Sequence, residues 1–266
     1  MTSRVTLITG AASGIGYAVA EHLLKQGNTV ALSDVSSEKV LEAKTQLLAS
    51  APDHQRSDWS ARISACQLDV TCDESIQAGV AHVKQHWGRL DILINNAGIQ
   101  HVAALEAFPP ALWRKIHDVL LVGPALLTRE CLPLMRAQNF GRIINLGSIH
   151  ALVASPYKSA YVAAKHGLLG FAKTLALELA EQDITINTVC PAYIKTPLVE
   201  QQIADQAAAH GLSENEVIET IMLAPMPQKR FISMAELCRS VSFLASEDCR
   251  SMTGQTLVLD GGWVAQ

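Results

Sequence analysis

The chain has 266 residues, 49% of them apolar and only 17% charged, with a formal net charge of −4. That length supplies core for one large α/β domain or two small ones, and the slight acidity leaves no basic footprint for nucleic acid. A membrane span is excluded on the same reading, because the longest apolar run, 119–127, is too short and is broken by Gly123 and Pro124.

Short β-branched runs alternate with longer helical patterns. "RVTLITG" (4–10) predicts a strand and 15–26 a helix; "TVALSD" (29–34) a strand and 38–49 a helix. "APDHQRSDWS" (51–60) reads as a polar surface loop without chemistry. "ARISACQLDV" (61–70) contains a strand, and 74–86 is helical; "LDILINNAG" (90–98) is a strand, and 111–138 is one helix despite its glycine and prolines. "GRIINLGS" (141–148) precedes a helix over 159–181, "ITINTVCP" (184–191) is a strand, and "TLVLDGG" (256–262) another. Strands apolar on both faces belong in a buried parallel sheet. The expected fold is therefore a single α/β domain over 1–266, a Rossmann-type doubly wound sheet of seven parallel strands, with ligands at the carboxyl ends of the strands. The stretch 197–231 breaks the alternation. In "GLSENE" Gly211 can close one helix, and Ser213 with Glu216 has the spacing of a capping box that opens the next, so a helical lid is expected here.

The N-terminus enters a strand at once, so no signal peptide is expected. Six scattered cysteines without a C-x-x-C pair read as reduced thiols of a cytoplasmic protein, with no metal site.

"TGAASGIG" (9–16) directly follows the first strand and opens the first helix. Gly10, Gly14 and Gly16 allow a tight turn and a close phosphate approach, and the helix N-terminus offers free N–H groups to a pyrophosphate. Asp34 closes the second strand 18 residues past Gly16. An acid there accepts hydrogen bonds from an adenosine ribose and repels a 2′-phosphate, which favours NAD over NADP. Asp69 and Val70 end the third strand, where a carboxylate and a backbone amide can meet an adenine. In "NNAG" (95–98) the small residues let a nucleotide pass close by, at Asn96, Ala97 and Gly98.

Ser148 ends the fifth strand, and "SAYVAAKHG" (159–167) opens the next helix with Tyr161 and Lys165 four residues apart on one face. All three lie on the ligand edge. A hydride leaves a carbinol carbon only if the hydroxyl proton leaves as well. A free phenol, with a pKa of about 10, is a poor base at neutral pH. Lys165 and a positive nicotinamide ring are expected to lower that value, making Tyr161 the general base for oxidation and acid for reduction. Ser148 then holds the reacting oxygen.

Thr-Gly-x-x-x-Gly-Ile-Gly, N-N-A-G, Ser148 and Y-x-x-x-K in this order resemble the short-chain dehydrogenase/reductase family over essentially the whole chain. The resemblance adds Ser13, Ile15, Pro191, Ile194 and Thr196 to the cofactor contacts, and lets Lys165 hold the nicotinamide ribose. More narrowly, "NNAGIQH", "GRIIN", "ASPYKSAYVAAKHG", "TPLVEQQI" and the terminal "DGGW" are similar to the bacterial subfamily of D-3-hydroxybutyrate dehydrogenases. That implies NAD, the pair (R)-3-hydroxybutyrate and acetoacetate, and a homotetramer. It maps the receptors of a small carboxylate onto Gln100, His150, Lys158 and Gln202, the last on the lid, with Tyr193 as a wall for the substrate's methyl group. The same motifs also fit a dehydrogenase for another hydroxy acid or alcohol, or a non-catalytic nucleotide binder.

Two departures stand out. Aligning "LWRKIHDVLLVG" places Leu120 where the family usually carries an asparagine that holds a water linking the lysine to bulk solvent. Either another group holds that water, or turnover is slowed, or the chain is an altered form. "PAY" (191–193) stands where the subfamily has Pro-Gly-Trp, so Ala192 adds a methyl group near the nicotinamide.

Overall fold

The structure, a computed structural model, describes residues 3–265, apart from the side chains at 198, 205 and 208–210. β1 (Val5–Ile8) leads through the glycine turn into α1 (Gly14–Lys25), then β2 (Thr29–Asp34) and α2 (Ser37–Ser50). α3 (Arg56–Arg62), β3 (Ile63–Gln67), α4 (Asp73–Trp87) and β4 (Ile92–Asn95) follow. Next come α5 (Pro110–His117), α6 (Gly123–Ala137), β5 (Gly141–Leu146), α7 (Ser159–Glu178) and β6 (Ile184–Pro191). α8 (Pro197–His210), α9 (Glu214–Val217), α10 (Met234–Ala245) and β7 (Thr256–Leu259) complete the chain.

All seven strands are parallel, in the order β3-β2-β1-β4-β5-β6-β7. The chain winds outward from β1 to β3, then returns to place β4 on the other side of β1, with Thr6 opposite Ile92 and Ile8 opposite Ile94. The helices that follow β1 and β4 thus leave a crevice between them at the carboxyl edge, where a doubly wound sheet binds its ligand. One face of the sheet is covered by α1, α2 and α10 through Val19, Leu23, Leu47, Leu237 and Val241. The other is covered by α4, α6 and α7 through Ile76, Val83, Leu127, Ala164 and Ala172. With both faces packed, the strands need no polar side, which is why they read as continuous apolar runs.

The expected loop at 51–60 is instead mostly helical, and α3 continues to Arg62. Trp59 is fully buried against the α2 side of the core and anchors this short helix. Arg62 pairs with Asp58 one turn back and donates to the Leu24 and Asn28 carbonyls, tying the end of α3 to α1. α10, which carried no expectation, opens with a capping box formed by Ser233 and Glu236.

The single helix expected over 111–138 is interrupted by a π-helical turn at Asp118–Val122. Pro124 has no N–H to donate one turn back, so the carbonyl of Leu120 loses its helical partner and the ladder widens. Gly123 is required at the same place: a Cβ there would lie 2.6 Å from the Val70 carbonyl oxygen. The predicted insertion is present as α8, α9 and a second π turn, Ile218–Met222. Gly211 caps α8 at φ +65°, and the Ser213–Glu216 capping box forms. The insertion has its own small core of Ile203, Val217 and Met222. Among the described residues no helix is long and apolar enough to cross a membrane.

Candidate active site

The turn after β1 holds Gly10 at φ +61° and Gly14 at φ +57°, backbone that side chains with a Cβ rarely adopt. A Cβ on Gly16 would fall 2.6 Å from both Asn96 Nδ2 and the Gly10 carbonyl oxygen. The end of β4 explains this closeness. Asn96 Nδ2 donates to the Thr9 and Gly10 carbonyls at 2.8 and 3.0 Å, and the Asn96 and Ala97 backbone N–H groups both donate to Thr9 Oγ1 at 3.0 Å. The N-N-A-G segment therefore clamps the glycine turn from the neighbouring strand.

A cleft of about 250 Å³ runs along this turn. Gly10, Ser13, Gly14, Ile15 and Asp34 line one end, Asn96 and Gly98 its floor, and Tyr161, Lys165, Pro191 and Thr196 the other. Asp34 accepts hydrogen bonds from the Ser36 and Ala12 backbone N–H groups at 3.2 and 3.4 Å. Five expected cofactor residues, Gly16, Asp69, Val70, Ala97 and Ile194, do not line the cleft. Gly16 serves the close packing just described, and Ala97 contributes its backbone to the clamp. The Asp69 carboxylate accepts from the Thr71 N–H and hydroxyl at 2.9 and 2.7 Å, and Val70 is buried beneath Gly123. Ile99, Leu146, Gly147 and Pro197 line the cleft without having been singled out. They flank predicted residues in sequence, and that adjacency was the available signal.

A smaller chamber of about 110 Å³ adjoins the cleft, walled by Ser148 and Tyr161. Gln100, His150, Lys158, Tyr193 and Gln202, drawn from five separate segments, all line it, and Ile194 belongs here rather than to the cleft. Lys158 is only 5% exposed, its ammonium 5.7 Å from the centre of the Tyr193 ring. Burial pushes its amine down to about 8. Burial also pushes the His150 imidazole down to about 4, helped by the Lys158 charge, so the ring is neutral at pH 7. Among the described residues neither imidazole nitrogen has a partner in hydrogen-bond geometry. Trp263, from the terminal "DGGW", stacks on Tyr193 at 6.2 Å and braces this wall.

Ser148 caps a short turn, its hydroxyl accepting from the His150 N–H at 3.2 Å. Tyr161 and Lys165 share one face of α7, with the ammonium 5.7 Å from the phenol ring centre. Burial pushes the phenol up to about 12, against a lowering hydrogen bond from Ser148. The lysine is engaged elsewhere. Its ammonium donates to the Leu146 carbonyl, and burial pushes it down to about 8. Leu120 lies in the π turn, buried beside Gly98, and lines the cleft with Lys165.

A family profile described as enoyl-(acyl carrier protein) reductase matches residues 10–264. The D-beta-hydroxybutyrate dehydrogenase of Rhizobium meliloti is 40% identical over 99% of this chain and 100% of that protein. The D-beta-hydroxybutyrate dehydrogenase of Cupriavidus necator is 38% identical over the full length of both. A crystal structure of an actinorhodin polyketide ketoreductase variant with NADPH superposes with a TM-score of 0.90 at 30% identity, covering 98% of this chain and 97% of that one. Fold, motif order and full-length similarity agree: the chain belongs to the short-chain dehydrogenase/reductase family and is an oxidoreductase.

Proposed function

We propose that this protein is an NAD-dependent dehydrogenase that interconverts (R)-3-hydroxybutyrate and acetoacetate. The observation that carries the reading is the small chamber beside Ser148 and Tyr161. Among the described residues it gathers one buried cation, a neutral histidine and two glutamines, with no aspartate or glutamate in its lining. Such a lining suits a short carboxylate, since Lys158 supplies charge and the other groups supply hydrogen bonds. The two D-beta-hydroxybutyrate dehydrogenases among the relatives support the same choice.

The cleft fits a dinucleotide: Gly10 and Gly14 line it in the positive-φ backbone of the turn, and the start of α1 faces it. Asp34 at the ribose end favours NAD, because its carboxylate repels a 2′-phosphate. Bound there, the nicotinamide supplies hydride acceptance and donation. This chain's residues handle the proton. Tyr161 takes it from the C3 hydroxyl in oxidation and returns it in reduction, while Ser148 holds the same oxygen. A phenol raised to about 12 is poised as the acid for reduction. Its use as a base draws on the positive charge in the cleft, to which Lys165 contributes. Gln202 belongs to α8, so carboxylate binding pulls the insertion over the chamber. The reading includes a homotetramer in the cytoplasm. The test is absorbance at the reduced-nicotinamide band with (R)-3-hydroxybutyrate or its mirror image, and NAD or NADP; no turnover of the R acid with NAD would refute it.

Carboxylate affinity has a defined pH dependence. Lys158 titrates at about 8 in the folded protein, so its charge is complete below that pH and is lost as the pH rises through it. Competitive inhibition by acetate is expected to weaken as the pH climbs past about 8 and to persist in Lys158→Arg, whose guanidinium stays charged. Inhibition constants measured from pH 6 to 10 check this, and a flat profile for the wild type would count against it.

Leu120→Asn places a hydrogen-bonding group beside Lys165 at the cleft. The expected outcome is a faster oxidation near neutral pH, within the ~10²–10⁴ that assisted proton transfer contributes. Oxidation rates of both proteins across pH decide it.

A further inference from the structure

His150, Lys158 and Tyr193 have a second side. The same three residues line another, larger chamber of about 400 Å³, which Trp263, Tyr157 and Val102 also wall. Among the described residues that line it there is no aspartate or glutamate, so Lys158 and His150 are its only ionisable side chains other than the tyrosines. Lys158 forms no ion pair with any described residue, although it is 95% buried, with 5% of its surface exposed. His150 is 4% exposed, with two nitrogens unpartnered among the described residues. A buried, unpaired cation next to an unpartnered imidazole is costly unless an anion completes it.

The rest of the chamber describes the body of that anion. Trp263 stands edge-on to His150 at 5.9 Å and stacks on Tyr193. Tyr157 is held at φ +65°, unusual for a residue with a side chain, and its carbonyl accepts from the Ala103 N–H at 2.9 Å. That bond fixes the loop bearing Tyr157 and Lys158 against the loop bearing Val102. Tyr193 lies under the ammonium at 5.7 Å, Trp263 stacks on Tyr193, and the exposed Tyr157 stands at the rim, so aromatic surface adjoins the charged group.

We propose that this outer chamber is a second carboxylate site, which takes a planar aromatic acid of the benzoate type and pairs it with Lys158 from the side away from Tyr161. Lys158 cannot serve both chambers at full strength, so occupancy of the outer one weakens carboxylate binding in the inner one. The site does not depend on the reaction assigned to the inner chamber.

The test is calorimetric titration of the protein with benzoate, benzyl alcohol and acetate. Benzoate is expected to bind and benzyl alcohol not to. Val102→Trp, which fills the outer chamber from its exposed rim, is expected to weaken benzoate at least about tenfold and to leave acetate within about twofold. Gln206→Trp fills it from α8 and is expected to do the same, so a folding failure of one variant leaves the other. Lys158→Met is expected to abolish both acids. Absence of benzoate binding, benzoate binding unaffected by both fillers, or equal loss of benzoate and acetate in them would overturn the second site.

Discussion

Tyr161→Phe is expected to lower turnover by ~10²–10⁴, the usual worth of a positioned proton-transfer group, while leaving NADH affinity within about twofold. The substitution removes one oxygen and keeps the ring, which packs in the α7 side of the core and stands edge-on to His150 at 6.4 Å. The dinucleotide contacts expected at Gly10, Gly14 and Asp34 lie at the other end of the cleft, and the clamp from Asn96 does not touch Tyr161. Binding and chemistry are thus separable in one variant. Titration of the variant with NADH and steady-state rates with acetoacetate read the two quantities. Undiminished rates would transfer the proton to another group, and Tyr161 would then be only a wall of the chamber.

The parts of this molecule legible in its sequence are those set by local rules. The glycine turn declares itself because positive φ at Gly10 and Gly14 demands glycine, and the Ser213–Glu216 box because capping is a matter of spacing. The parallel sheet is legible because burial on both faces removes alternation. α3 was hidden because its polar surface dominates "APDHQRSDWS", while one residue, Trp59, fixes its place in the core. The π turn before α6 depends on two contacts no window of sequence contains: the approach of the Val70 carbonyl to Gly123 and the packing of Leu120 against Gly98. The substrate chamber was reached through family resemblance alone, since Gln100, His150, Lys158, Tyr193 and Gln202 share no periodicity and meet only through the fold. The environment of Tyr161 is legible only in part. Spacing puts Lys165 on the same helical face, but it does not reveal that the Leu146 carbonyl takes the ammonium or that burial outweighs it.

Lys158→Met should make the protein more stable while it loses its hold on carboxylates. The ammonium is buried with no ion pair among the described residues, and burial lowers its pKa from 10.5 to about 8. At 1.36 kcal/mol per unit, that depression corresponds to a destabilisation of about 2–4 kcal/mol in the charged form. Methionine has nearly the same reach and no charge, and it repacks readily. The sign of the pH dependence follows from linkage. Between about 8 and 10.5 the unfolded chain holds a proton at this lysine that the native state has released, so wild-type stability rises with pH there. The gain in the variant is therefore full below pH 8 and shrinks towards zero above 10.5. Urea midpoints of both proteins at pH 6.5 and 9.5 measure it, with the larger difference expected at the lower pH. Lys165 has a similarly depressed amine but donates a hydrogen bond to the Leu146 carbonyl, so the same change there would strand a buried acceptor and carries no such expectation. Stability that stays level or drops in Lys158→Met would mean that the Lys158 ammonium is already satisfied in the folded protein, and the electrostatic argument for both carboxylate chambers would fail with it.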